Sequence, residues 1–182
     1  MKQAYAPNNV DIGALALASD QLAGEEPVAG FARLVAEILA EGGQELLVWN
    51  ARFEDRPNVS GLLQPWMHLT LTVSLYLTCQ RCLGVVAVPV VVDRSFRFVH
   101  SEEVAEVEDE EADEDVLVLD KQFKLRDLIE DEVLMAMPLV PRHEACPGKL
   151  TLSAVDPDFE AALHAKPRPF DALAVLKNPA KR

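Results

Sequence analysis

The sequence predicts an α+β domain: a mainly antiparallel twisted sheet or partial β-barrel built on one long hairpin, with helices packed on one side. Three observations carry this. Residues 68–79 alternate, with Leu69, Leu71, Val73, Leu75 and Leu77 on one side and Thr70, Thr72, Ser74, Tyr76 and Thr78 on the other. That period of two marks a strand with one wet face, hence an antiparallel one. A second strand, residues 85–100, follows with only "CQRCLG" between them. Two further segments, 27–43 and 123–138, carry apolar residues at helical spacing. At 182 residues the chain is long enough to bury such a core as one domain with extensions.

Residues 1–26 show no sustained period and read as a loose arm with a short helical turn near 12–19. They contain Asp11, Asp20, Glu25 and Glu26 and no long apolar run, so neither secretion nor membrane insertion is expected. The domain is expected at 27–177, followed by a basic tail at 178–182. In "PVAGFARLVAEILAEGG", Phe31, Leu34, Val35, Ile38 and Leu39 line one helical face, and Gly42-Gly43 ends it. "QELLVWNARF" switches to strand period, with Leu47, Trp49, Ala51 and Phe53 on one side. Pro57-Asn58 and Ser60-Gly61 mark the loop that follows. In residues 85–100, Val86, Val88, Val90, Val92, Phe96 and Phe98 share a parity that Arg94 interrupts. Pro89 cannot donate to a ladder and points to an edge or a bulge.

The net charge of −13 is mostly one local feature. Residues 102–115, "EEVAEVEDEEADED", hold ten acidic residues and no basic one. The other 20 acidic residues against 17 basic ones leave the rest close to neutral. The run reads as a solvated, disordered loop, or as an acidic arm that docks on a basic protein. "DVLVLD" is a short strand. In "FKLRDLIEDEVLMAMP" a helix places Leu125, Leu128, Ile129 and Val133 inward and Glu130, Asp131 and Glu132 toward water. "LVPRHEACPGKL" is a loop, and short helices are expected at 157–164 and 169–177.

The three cysteines carry the chemistry. Cys79 and Cys82 form a C-x-x-C pair at the hairpin tip, and His143 with Cys146 forms an H-x-x-C pair in the later loop. If the fold joined them, three thiolates and one imidazole would make a structural zinc site. The other reading keeps Cys79 as a buried small hydrophobe continuing the parity of Leu69–Leu77, with Cys82 and Leu83 closing the hairpin end and Arg81 projecting outward. A thioredoxin-like redox pair fits less well, because both flanks are strands and no helix N-terminus lowers the thiol pKa. Reduced thiols suit the cytoplasm.

No glycine-rich phosphate motif, zinc-protease helix, nucleophile elbow or kinase signature is present, so no catalytic residue and no small-molecule substrate is expected. Candidate phosphate contacts are Arg81, Arg94 and Arg97, then Lys121, Lys124 and the tail residues Lys166, Arg168, Lys177, Lys181 and Arg182. Phe96 and Phe98 share the valine face and read as core, not as base-stacking platforms.

Taken together, "CQRCLG", the valine-rich strand, the acidic run, "LRDLIEDEVLMAMPLVPRHEAC" and "RPFDALAVLK" resemble the YceD family, the large ribosomal RNA subunit accumulation proteins. The likeness spans roughly residues 27–177. Cys79, Arg81, Cys82 and Leu83 match its first motif; Pro138, Pro141, His143 and Cys146 match its second; Phe170, Leu173 and Leu176 match its terminal signature. The resemblance implies a non-enzymatic role in accumulation of large-subunit ribosomal RNA, with precursor RNA or ribosome assembly proteins as partners. Some relatives carry additional cysteines after the second motif. This chain has none after Cys146, so His143 would have to complete a zinc site.

Overall fold

A computed structural model describes residues 8–58, 60–110, 112, 114–148, 156 and 158–159. By its internal contacts the chain divides into Met1–Cys146 and Pro147–Arg182. In the second unit the described residues include a turn in which the Phe159 N–H donates to the Asp156 carbonyl. Of the helix expected at 157–164 only residues 158–159 are described, and both are helical; the helix expected at 169–177, with Phe170, Leu173 and Leu176, lies outside the described residues. Among those described, no helix is long and apolar enough to cross a membrane.

The first unit is α+β, as the alternation predicts. Among the described residues five strands lie in the order β1 (Gln21–Pro27), β2 (Leu46–Pro57), β3 (Leu63–Thr78), β4 (Val85–Val99) and β5 (Asp115–Val118) in an open sheet. The first three pairings are antiparallel, and β4–β5 is parallel. A parallel neighbour needs a crossover, here α3 (Glu102–Asp109). The inward parity of β3 holds from Met67 to Leu77 and continues into Cys79, which is fully buried. On β4, Val86, Val90, Val92, Phe96 and Phe98 are buried. Among the described residues β5 pairs only with Phe96–Val99, which leaves β4 as a sheet edge at Pro89, where a missing donor costs nothing.

The core is closed by α1 (Ile12–Leu17), by Phe31 and Leu34, and by α4 (Leu125–Ala136) through Leu125, Ile129 and Val133. Trp49 is buried against β1 because its partner in register is Gly24, where a Cβ would stand 2.6 Å from the indole.

Four expectations are corrected. Residues 8–26, the described part of the stretch before residue 27, are not loose: Asp11 caps α1 through the Ala14 N–H (3.1 Å), and β1 forms an edge of the sheet. Only Leu22 of that strand is buried, so backbone bonding rather than a hydrophobic period defines it. The single helix expected at 27–43 is broken. Only Ala32–Glu37 is α-helical, as α2, because Ile38 turns extended and the Leu39 N–H goes to the Tyr76 carbonyl at 2.8 Å. The acidic run is not wholly unstructured, since α3 occupies Glu102–Asp109 with Ala105 buried beneath it. Finally, Glu130 and Glu132 are buried rather than solvated. Glu130 accepts from the Arg33 and Leu34 backbone N–H groups (2.6 and 3.1 Å) and from the Arg33 side chain, capping α2 from a distant element.

Candidate metal centre

The hairpin tip is a tight turn. Cys79 donates its N–H to the Gly84 carbonyl and accepts from the Leu83 N–H, both at 2.8 Å. Leu83 takes a φ of +59°, a left-handed conformation that a leucine seldom adopts, and stands 76% exposed. The turn thereby sets Cys79 into the core while Cys82 stays half-buried above it.

The second loop reaches this tip from the end of α4. Met137 turns extended at the helix end. Beyond it, the Pro141 carbonyl accepts from the Gln80 N–H at 2.8 Å. His143 Nε2 lies 2.9 Å from the Val85 carbonyl oxygen, which can only accept, so Nε2 carries the proton. That fixes the tautomer and leaves the Nδ1 lone pair facing Cys82 Sγ at 3.4 Å. Cys79 Sγ lies 3.9 Å from Cys146 Sγ.

One donor atom from each of Cys79, Cys82, His143 and Cys146 lies within 4.8 Å of the others. Tetrahedral zinc bonded at about 2.3 Å to sulfur and about 2.0 Å to nitrogen requires edges of roughly 3.8 Å between sulfurs and 3.5 Å between sulfur and nitrogen. The Cys79–Cys146 edge of 3.9 Å and the Cys82–His143 edge of 3.4 Å have close to those lengths. The hydrogen bond on the far ring nitrogen is the usual way a ligating histidine is oriented. The donor set and its spacing fit zinc.

Electrostatics favour thiolate at the buried position. Burial pushes the Cys79 thiol up, but the backbone N–H groups of His143, Arg81 and Cys82 outweigh it and bring it down to about 5. For Cys82 the Gly84 N–H favours thiolate, yet burial and the Cys79 and Cys146 sulfurs together push it up. Metal-free, the cluster resists holding several negative charges at once; a divalent cation removes that obstacle.

The sequence-predicted residues separate into two groups. Cys79, Cys82, His143 and Cys146 converge, with Pro141 beside them through its carbonyl, while Leu83 remains at the surface. Arg81 is exposed but lies over the second loop instead of standing clear of it. Its Nε donates to Cys146 Sγ at 3.1 Å, and one terminal nitrogen donates to the His143 and Glu144 carbonyls at 2.7 and 3.2 Å. Arg94 and Arg97 sit at the other end of the hairpin. Arg94 is paired with Asp115, with Glu132 at 3.9 Å. Arg97 is paired with Glu108 and with Glu114 at 2.8 Å. The backbone acceptors Pro141 and Val85 were missed because no side-chain pattern announces them. The acidic partners Glu108, Glu114 and Asp115 were missed because they stand within one continuous charge run, and Glu132 because it reads as part of the solvated face of α4.

Residues 67–177 match the model of the protein family described as Large ribosomal RNA subunit accumulation protein YceD. No curated protein and no solved structure matches the chain.

Proposed function

The chain belongs to the YceD family of large ribosomal RNA subunit accumulation proteins, and from that membership we propose that it supports accumulation of large-subunit ribosomal RNA without catalysis, by docking a basic assembly protein rather than by gripping the RNA. The carrying observation is the use of its arginines. Arg81, Arg94 and Arg97, the strongest sequence candidates for phosphate contacts, all bond to groups of the chain itself. Guanidinium groups already matched by carboxylates, a sulfur and carbonyl oxygens offer little to a phosphate. Meanwhile α3 presents Glu102, Glu103 and Glu106 to solvent beside the exposed Val104 and Val107. That mixed surface suits a basic protein segment, and the net charge of −13 steers such partners in while repelling polyanions.

In the same reading Cys79, Cys82, His143 and Cys146 hold a structural zinc ion that fixes the hairpin tip, and the protein works in the cytoplasm, where its thiols stay reduced.

The test is crosslinking in living cells with a tagged, functional protein. Chemical crosslinks from the α3 region to lysines of a large-subunit assembly protein are expected, and changing Glu102, Glu103 and Glu106 to Gln should abolish them. Ultraviolet crosslinks concentrated at defined positions of large-subunit precursor RNA would overturn the protein-docking reading in favour of direct contact.

A further inference from the structure

We propose that Arg81 is an integral part of the metal centre, positioning its second ligand pair and balancing its charge, instead of a nucleic-acid contact. The inference rests on the zinc reading above. Three thiolates and a neutral imidazole around Zn²⁺ leave one net negative charge, in a site whose Cys79 is fully buried. Arg81 lies between the first two ligands in sequence and bonds to the second two in space. Its Nε–H donates to Cys146 Sγ at 3.1 Å. The fork continues to the carbonyls of His143 (2.7 Å) and Glu144 (3.2 Å), the two backbone groups that set the direction of the H-x-x-C pair.

This geometry demands arginine. A planar guanidinium reaches a sulfur and two carbonyls at once from a fixed fork, whereas a lysine ammonium is a single point with no such reach. Its position between Cys79 and Cys82 follows from the same need. The turn that brings the first two sulfurs together also aims residue 81 across the gap at the loop bearing the other two ligands. An N–H···S bond to a metal thiolate draws off electron density, so Arg81 tunes the centre as well as closing it.

The experiment compares the full-length protein with its Arg81→Lys and Arg81→Gln variants, prepared without oxygen. Zinc content is measured, affinity is read by competition with a chromophoric chelator, and Co²⁺ replaces zinc for spectroscopy. The unaltered protein should hold one equivalent. Arg81→Gln should bind roughly 10–100-fold more weakly, and its thiolate-to-Co²⁺ charge-transfer band should move to lower energy as the N–H···S bond is lost. Arg81→Lys should fall between the two in affinity. If Arg81→Gln does not fold, Arg81→Lys decides by the same two readouts. Unchanged affinity with an unmoved band in the variants overturns the role of Arg81 while leaving the zinc reading standing. An unaltered protein that takes up neither zinc nor Co²⁺ overturns both.

Discussion

The β3–β4 hairpin secures a different segment at each end, and it does so by opposite means. At its tip, the loop that follows α4 has no regular structure and is held chiefly by side chains, namely the four candidate ligands, Arg81 and the His143–Val85 hydrogen bond, with the Gln80–Pro141 backbone bond beside them. At its base, the α3–β5 segment is already held by backbone pairing, four β-registers from Phe96 to Val99. There Arg94 and Arg97 add ion pairs to an existing ladder. The difference is one of dependence. A loop without a ladder stays only while its directional bonds persist, whereas a paired strand stays when its salt bridges are screened.

The strongest way to break this contrast is to remove the metal. Saturating zinc about 1,000-fold above its dissociation constant is worth about 4 kcal/mol, so chelation should lower Tm by about 10 °C in a chain of this length. Cys82→Ser should do the same without chelator. Amide exchange should rise at Gln80 and Cys79, whose N–H groups close the tip, and remain slow in β5. A melting temperature unmoved by chelator or by Cys82→Ser, in protein shown to contain zinc, would mean that hydrogen bonds alone hold the tip.

A smaller effect is expected at the base. The Arg97 side chain is 14% exposed and meets two carboxylates, so Arg97→Gln should cost about 1 kcal/mol in urea titrations at low salt. The loss should shrink in 0.5 M salt, because the substitution removes what screening has already weakened. A salt-independent loss, or one as large as that on chelation, would sink the idea that these pairs are secondary to the ladder.

How far the sequence discloses each end follows from the same physics. Side-chain parity marks β3 and β4 because one face is wet and the other buried, and the ligands stand in two short motifs that suit one ion. The direction of Arg81 does not show. It depends on the left-handed Leu83 and on the carbonyls of His143 and Glu144, and neither leaves a residue pattern. The acidic run hides a helix for a comparable reason. Its repulsion is visible in the sequence, but Arg97 and the burial of Ala105 against Val99 and Val116 are not. Favourable placement of Glu102 and Glu103 in the first turn of α3 is a hint that residue counting overlooks. The edge strand β1 buries one leucine, so its pairing with β2 is a backbone property that hydrophobic period cannot report.

The smallest predicted effect sharpens the contrast within α4, where two buried carboxylates two positions apart in sequence should respond oppositely to pH. Glu130 suffers burial, but the Leu34 N–H, the Arg33 side chain and the Arg33 N–H outweigh it and hold its carboxyl below the ordinary value of 4.5. Its contribution is present above that value and lost as pH falls through the lower folded pKa. Glu132 is 3% exposed, and burial pushes its carboxyl up. Arg94 opposes the shift, while Asp115 and Asp131 add to it. The folded state therefore binds a proton more tightly than the unfolded chain, and Glu132 erodes stability as pH rises from 4.5 through its raised folded pKa. Glu132→Gln should accordingly be neutral to stabilising at pH 7, by under about 1 kcal/mol, and should remove that decline from a stability–pH profile. Arg94 would keep Asp115 in the variant, so β5 should stay in place. A clear loss of stability at pH 7 would instead show that the Arg94–Glu132 attraction outweighs the burial of the charge, and that the base of the hairpin depends on its ion pairs more than its ladder implies.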